Sequence, residues 1–440
     1  LPTEFPYPNR QISRMSKNLK IHNVNNSARA TILDILVLCG QGSYSNEILP
    51  ARLSRSKFIE PDKALITKVV YSTLRQQIRI DYAIEKISSR KLKSVDPIAR
   101  AALRSTICQL IDGFEMHAAL NETVKVLPFS LKGFVNAVSR KAIELHKKEK
   151  LFIDEPENVE LSLPDWIFAE TQSVFGDKAS EVANSFNLPA FVTLAPVNKD
   201  PMPVIKSREG VLVKKARLIT NTGDLFNSPY LKSGDYIVSD QGSQLVASCV
   251  SADKTQTVLD VCSAPGGKAI MVSQKASAVF ASDISPRRME KLIQTRERVG
   301  ADNVYCFASD ALDLPFDEDQ KFDSVLVDAP CSGLGVLRRR PDARHNITPE
   351  DVSELHQLQK KILTSTSKLV KENGELVYSV CTFTKSETID IDDWLKSEHP
   401  ELVAQEMVFN SPLVSPLGRG YLVAGTQDND AMYILKLVKS

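Results

Sequence analysis

The chain has 440 residues, 42% of them apolar, and a formal net charge of +1. At roughly 100–200 residues per domain, two or three domains are expected, with enough apolar residues to build packed cores. No apolar run reaches the ~18 residues of a membrane span. Leu1-Pro-Thr-Glu-Phe does not open as a basic-then-apolar signal would. The 7 cysteines contain no C-x-x-C pair, which argues against a disulfide framework or a structural zinc site. A cytoplasmic protein without metal or membrane attachment is expected, acting as a monomer.

The near-zero charge hides an asymmetry. Residues 1–150 hold 25 Lys+Arg against 13 Asp+Glu, a net of +12; the totals of 55 and 54 leave 30 and 41 for residues 151–440, a net of −11. A basic front half is the electrostatic footprint of a polyanion binder, although a solvated basic surface reads the same way.

Residues 1–26 are polar, carry three prolines, and read as a mobile basic tail. From Ser27 the apolar spacing is helical (Ala30, Ile32, Leu33, Leu36, Val37). Further helices are expected at 62–79, 82–89, 97–111, 120–127 and 132–147. Strand patterns are scarce, so residues 27–150 read as an all-α bundle. Residues 148–164 are charged and proline-containing and read as a linker. A small α+β domain is expected up to residue 240, with a helix at 166–185 and strands at 191–197, 210–219 and 236–240.

Residues 241–440 alternate strand and helix, which predicts a parallel doubly wound sheet. The first strand, Thr257-Val-Leu-Asp-Val, runs into Cys262-Ser-Ala-Pro-Gly-Gly-Lys268, a sharp glycine turn before a helix. Such turns let a backbone approach a ligand closely, although this one lacks the G-x-G-x-x-G spacing of dinucleotide sites. Ligands of such sheets bind at the C-terminal strand ends. There the sequence places Cys262, Asp283, Asp310, Asp328, Cys331 and Cys381. Asp283 follows the second strand and suits ribose hydroxyls, or else caps the next helix. Asp328-Ala-Pro-Cys-Ser-Gly333 and Tyr378-Ser-Val-Cys381 each put a cysteine just beyond an apolar strand. If those strands are neighbours, the two cysteines share one pocket.

Two cysteines and an acid beside a nucleotide pocket suit methylation at carbon 5 of a pyrimidine. That carbon is a poor nucleophile until a thiolate adds at carbon 6. An acid must then stabilise the ring at nitrogen 3, and a base must remove the carbon-5 proton so that the thiolate can leave.

The residues carry two resemblances. Asp62-Lys-Ala-Leu, Tyr71-Ser-Thr-Leu-Arg75, Asp81-Tyr-Ala-Ile, Ala102-Leu-Arg104, Asn121-Glu-Thr-Val124 and Phe134-Val-Asn-Ala-Val138 resemble, in order, the NusB-type RNA-binding helical domain. DVCSAPGGKA, ASDIS, ASDAL, DAPCSGLGVLRRRPDAR and LVYSVCTF resemble the RNA 5-methylcytosine methyltransferases. Together they resemble the Sun/Fmu (RsmB-type) enzymes of 16S ribosomal RNA.

The resemblance implies a multidomain α and α/β chain: a NusB-like bundle, a small α+β linker domain, and a Rossmann-like methyltransferase that uses S-adenosyl-L-methionine on small-subunit ribosomal RNA. It implies Cys381 as nucleophile, Cys331 in product release, and Asp328 at the cytosine ring and the cofactor. Cys262, Ser263, Ala264, Pro265, Gly266, Gly267 and Lys268 would cradle the methionine end. Asp283 would hold the ribose, with Arg288 on the following helix, and Asp310 would lie by the adenine. Arg29, Arg75 and Lys132 are candidate exposed RNA contacts, and Arg338, Arg339 and Arg340 either approach phosphates or form a solvated loop run. Ser263 stands where the family usually has Ala, and Asp430-Ala-Met-Tyr433 where it has Asp-Gly-Phe-Phe. The same chemistry on tRNA, a non-catalytic RNA-binding factor and a nicotinamide dehydrogenase are the competing readings. The cysteine pair and the strand-end acids argue against the binding factor, and the turn spacing and the Asp-Ala-Pro-Cys loop argue against the dehydrogenase.

Overall fold

In the computed structural model, residues 27–440 are described apart from 199–200, 202, 205, 221–224, 226–227 and 318. The tail expected at 1–26 lies outside the described residues. The described chain forms two compact units, residues 27–169 with 340–346, and residues 170–339 with 347–440.

The first unit is helical. It contains α1 (Ala28–Cys39), α2 (Ser45–Ser54), α3 (Glu60–Arg75), α4 (Gln77–Ser88), α5 (Pro97–Ile111), α6 (Met116–Lys125), α7 (Phe129–Lys147) and α8 (Glu157–Glu160), and α9 (Asp165–Phe175) begins in it. The helix expected at 62–79 ends instead at Arg75, with Gln76 breaking it from α4. Helix α5 is central: Asp96 caps it by accepting from the N–H groups of Ile98 and Ala99, and Pro97 sits at its first position. Its Ala102, Leu103 and Ile107 are fully buried against α1, α3 and α7. The stretch expected as a linker contributes buried Leu151, Leu161 and Leu163 to the same unit.

One contribution to this unit comes from far along the chain. Residues Arg340–Asn346, with α15 (Ala343–Asn346), belong to it. Asp342 accepts from the Ser45 N–H at 3.2 Å and its hydroxyl at 2.5 Å. Arg344, 1% exposed, donates to the carbonyls of Arg75 and Ser162, both at 2.9 Å.

The second unit continues with α10 (Ala179–Ser185) and a small antiparallel sheet of β1 (Val192–Pro196), β2 (Ser207–Glu209), β3 (Arg217–Ile219) and β4 (Tyr236–Val238), with α11 (Pro229–Lys232) before β4. The strand expected at 210–219 is therefore two short strands around a turn. Then come α12 (Gln241–Cys249), β5 (Thr257–Val261), α13 (Gly267–Ser273), β6 (Ala278–Asp283), α14 (Pro286–Val299), β7 (Val304–Ala308) and β8 (Phe322–Asp328). After them lie α16 (Pro349–Ser367), β9 (Val370–Val380), α17 (Ile389–Glu398), β10 (Leu402–Ala404), β11 (Val414–Leu417), β12 (Gly420–Val423) and β13 (Met432–Lys439).

Among the described residues, the large sheet has 9 strands in the order β11-β12-β13-β9-β8-β5-β6-β7, with β10 paired to β13. Strands β5 to β9 are mutually parallel. The sheet is not parallel throughout, as the alternation suggested: β13 runs antiparallel against β9, and β12 and β11 extend that edge. The short β11–β12 turn through Gly418 and Arg419 is a hairpin, which leaves no length for a crossover. Strand β5 lies between β6 and β8, so chain order reverses there and the crevice at its C-terminal end is the expected ligand site. Ala195 and Ile237 of the small sheet, with Val197 just after β1, share one core with Val258, Leu326 and Ile434 of the large one.

Candidate active site

Strand β5 is fully buried along Val258, Leu259 and Val261, and turns at its end. Cys262 takes φ +60°, and Gly266 takes φ +95°. A Cβ on Gly266 would lie 2.3 Å from Leu292 Cγ, so only glycine allows α14 to pack there. At Gly267 an added Cβ would meet nothing nearer than Ser239 Oγ at 3.8 Å, so packing does not demand that glycine and its backbone is left uncovered.

Asp260, 1% exposed, accepts from the Ser263 hydroxyl at 2.8 Å, while its Oδ1 is buried without a hydrogen-bond partner. Burial pushes its carboxyl up to about 7. At the end of β6, Asp283 accepts from Ala264 N–H at 3.2 Å and Ser285 N–H at 2.9 Å, and pairs with Arg288 at 3.4 Å. Burial raises this carboxyl, with Arg288 opposing. Arg288 also donates to the Ala264 carbonyl, so it ties the turn to the start of α14. Ser285, not Asp283, caps α14. Asp310 is exposed beyond β7 and accepts from Leu312 N–H at 2.9 Å.

On the other side of β5, Asp328 and Ser379 are register partners on β8 and β9. Asp328 accepts from Ser379 Oγ at 2.8 Å and from Lys268 Nζ at 2.6 Å. Burial disfavours the Lys268 charge, but Asp328 outweighs it and Cys381 adds to it, so the ammonium is held above its ordinary range. The loops that follow bring Cys331 Sγ and Cys381 Sγ to 3.3 Å. Cys331 is 3% exposed, and its thiol is raised well above the usual range by the contact with Cys381 and then by burial. Gly335 locks the first loop to the second: its N–H donates to the Cys381 carbonyl at 3.0 Å, and a Cβ there would lie 2.2 Å from the Ala431 carbonyl oxygen.

The sequence candidates therefore divide. Cys262 to Lys268, Asp283, Arg288, Asp328, Cys331 and Cys381 gather around the ends of β5, β6, β8 and β9; Asp310 lies beyond β7. Three residues that lie within the quoted motifs but were given no role there join them: Asp260, Ser379, and Ile284, an apolar side chain left 63% exposed beside Asp283. An isoleucine directly after a strand-end acid reads in sequence as more strand.

The arginine run does something other than meet phosphate. Arg338 is 1% exposed and donates to Asp430 and Asp240, both at 2.6 Å. Arg339 pairs with the same two acids at 2.9 and 2.8 Å. Burial works against Asp240, but the two guanidiniums outweigh it and hold its carboxyl below the usual range. Arg340 lies with the helical unit, near Asp342. Removing one partner of a buried pair strands the others, so Arg338→Ala is expected to cost about 3–5 kcal/mol in urea unfolding. Arg29 and Arg75 are not exposed contacts either: each is half-buried, Arg29 donating to Gln109 and Arg75 lying over the Tyr71 ring. Lys132 is half-buried as well.

Two family models match the chain: 16S rRNA methyltransferase RsmB/F over residues 247–438, and the NusB family over 26–144. Ribosomal RNA small subunit methyltransferase B of Thermus thermophilus is 30% identical over 417 residues, 93% of this chain and 97% of that protein. The chain belongs to the RsmB/F family of 16S ribosomal RNA methyltransferases. A probable ribosomal RNA small subunit methyltransferase B of Bacillus subtilis is 28% identical over 400 residues, covering 85% of this chain and 89% of that one. The crystal structure of PH0851 shares the fold, with TM-score 0.74 and 20% identity over 94% of this chain and 98% of that one.

As an RsmB/F enzyme, the protein is an S-adenosyl-L-methionine-dependent ribosomal RNA methyltransferase. The residues suit that donor. The partnerless Asp260 oxygen and the uncovered backbone at Gly267 fit a polar, cationic methionine end, and Asp283 with exposed Ile284 fits ribose and base. Among the described residues, no helix is long and apolar enough to cross a membrane, and no group of His, Cys, Asp and Glu is arranged to hold a metal.

Proposed function

We propose that the protein methylates carbon 5 of a specific cytosine in 16S ribosomal RNA through a covalent bond to Cys381. The observation that supports this most directly is the 3.3 Å approach of two cysteine sulfurs beside Asp328 at adjacent parallel strand ends. Simple methyl transfer to a nitrogen or oxygen needs no thiol, whereas carbon 5 needs one.

In this reading the Cys381 thiolate attacks carbon 6 of the cytosine. Lys268 sets a positive charge beside the attacking sulfur, and it also fixes Asp328. Asp328, whose side chain keeps 30% exposure, meets the ring at nitrogen 3 and, in its acid form, gives that nitrogen a proton as the attack pushes electron density there. Carbon 5 then takes the methyl group that S-adenosyl-L-methionine supplies when bound. A base removes the carbon-5 proton, the C5–C6 double bond re-forms, and the bond to Cys381 Sγ breaks. Cys331, in contact with that sulfur, assists this release.

The donor would be held by Cys262, Ser263, Ala264, Pro265, Gly266, Gly267 and Lys268 at its methionine end. Asp283 would bind the ribose, and Asp310 and Ile284 would lie by the adenine. Arg288 is already engaged with Asp283 and Ala264, so its part is to orient them. The target base must leave its stack, which costs a few kcal/mol unless it is already unpaired. The basic front half, with its NusB-family match, would supply the grip on RNA. The family match and the relatives support ribosomal RNA over tRNA as the substrate.

Bisulfite sequencing of 16S rRNA tests this reading. A strain lacking the protein is expected to lose one protected cytosine, and a plasmid copy to restore it. An unchanged bisulfite pattern would reject cytosine-5 as the target.

A further inference from the structure

Glu387 belongs to none of the motifs above. It follows β9 and Cys381, just before α17, and it is fully buried. Burying a carboxylate is costly unless donors surround it. Here four do. Oε1 accepts from the Ser332 N–H at 2.8 Å and from Gln359 Nε2 at 3.0 Å. Oε2 accepts from Ser332 Oγ at 2.5 Å and Thr384 Oγ1 at 2.8 Å. A carboxylate is the side chain that can accept from four donors at once.

The donors are not a random set. Ser332 is the residue after Cys331, and its hydroxyl also meets Thr382 Oγ1, directly after Cys381, at 2.7 Å. Gln359 of α16 reaches the other side of Cys331, donating to the Pro330 carbonyl at 2.9 Å. Glu387 thus ties the residues flanking Cys331 to those following Cys381. Its own backbone is anchored in turn, since the Tyr378 hydroxyl donates to the Glu387 carbonyl at 2.9 Å.

We infer that Glu387 is the positioning residue that holds Cys331 against Cys381 for product release. The inference rests on the cysteine roles proposed above. It concerns geometry, and it differs from general scaffolding in one respect: it acts on the second half of the reaction. Loss of Glu387 should leave Cys381 able to attack but Cys331 badly placed to help it leave.

The test uses the full-length protein with a 16S rRNA transcript and S-adenosyl-L-methionine. Glu387→Ala is expected to lower kcat by about tenfold or more with little change in KM for either substrate, and to accumulate protein–RNA adduct on a denaturing gel. Glu387→Gln should restore most of the turnover. Its carbonyl can still accept from the two N–H donors, and the two hydroxyls facing its amide can turn from donating to accepting. If Glu387→Ala fails to fold, Ser332→Ala removes one of the four donors and should give the same adduct more weakly.

In a Cys331→Ala background, Glu387→Gln and Ser332→Ala should add nothing further, because the group they position is gone. Adduct with Cys331→Ala but none with Glu387→Ala or Ser332→Ala would overturn the inference and spare the cysteine roles. No adduct with Cys331→Ala would overturn both. Equal loss of adduct formation and release in every Glu387 variant would reduce the residue to scaffolding and reject the inference.

Discussion

Cys381→Ala is expected to abolish methyl transfer to 16S rRNA while leaving binding of S-adenosyl-L-methionine intact. Carbon 5 of an aromatic cytosine cannot attack a sulfonium methyl at a useful rate, so the thiolate is the step that makes the reaction feasible rather than an aid to it. A fall of at least about 10³-fold is expected, in keeping with the loss of a covalent nucleophile. Donor binding should survive because its proposed cradle is built from the turn after β5, the start of α13 and the ends of β6 and β7, none of which contains Cys381. Radiolabelled methyl transfer and calorimetric titration of the donor measure the two halves separately. Activity within tenfold of the parent protein would remove Cys381 as nucleophile. Lost donor binding would show instead that the substitution had disturbed the whole pocket.

The strand-end residues were legible in the sequence for a physical reason. A buried parallel strand reads as an apolar run, and the residue where that run stops is where the chain meets the ligand crevice. Phe322–Asp328 and the strand ending at Val380 both stop this way, so the amino-acid pattern alone puts Asp328, Cys331 and Cys381 at strand ends. The beginning of β9 was not legible, because Lys371, Glu372 and Asn373 are polar and break the apolar run that marks a buried strand. The hairpin of β11 and β12 was missed because Pro416 and Gly418 read as breakers.

Pairings across long separations were harder still. Arg338 meets Asp430 and Asp240 from 92 and 98 residues away. Three consecutive arginines on the loop after Asp328-Ala-Pro-Cys-Ser-Gly333 look like a phosphate site until the acids that neutralise two of them are found. The same holds for Asp342 and Arg344. They lie in the sequence of the methyltransferase motif, yet they are buried in the helical unit. A truncation at residue 150 would therefore strip these buried charges of their partners Ser45 and Arg75. For that reason the RNA-binding role of the front half is better tested by surface charge changes in the intact chain.

Cys331→Ala should behave in the opposite way to Cys381→Ala, and the contrast separates the two sulfurs. With Cys381 present, attack and methyl transfer can proceed. Without Cys331, the methylated cytosine has lost the neighbouring group proposed to assist its departure, so the enzyme should stall with RNA attached. A band shifted by the mass of the transcript is expected on a denaturing gel, with turnover reduced by about 10²-fold or more. The adduct should be absent from Cys381→Ala and from the double variant, since both lack the attacking sulfur. The structure gives this prediction its sharpness, because the two sulfurs are 3.3 Å apart and their sequence order alone assigns no roles. If Cys331→Ala instead lost activity without an adduct, while Cys381→Ala trapped one, the roles would have to be exchanged. Normal turnover with no trapped species would leave Cys331 as a packed thiol with no part in the chemistry.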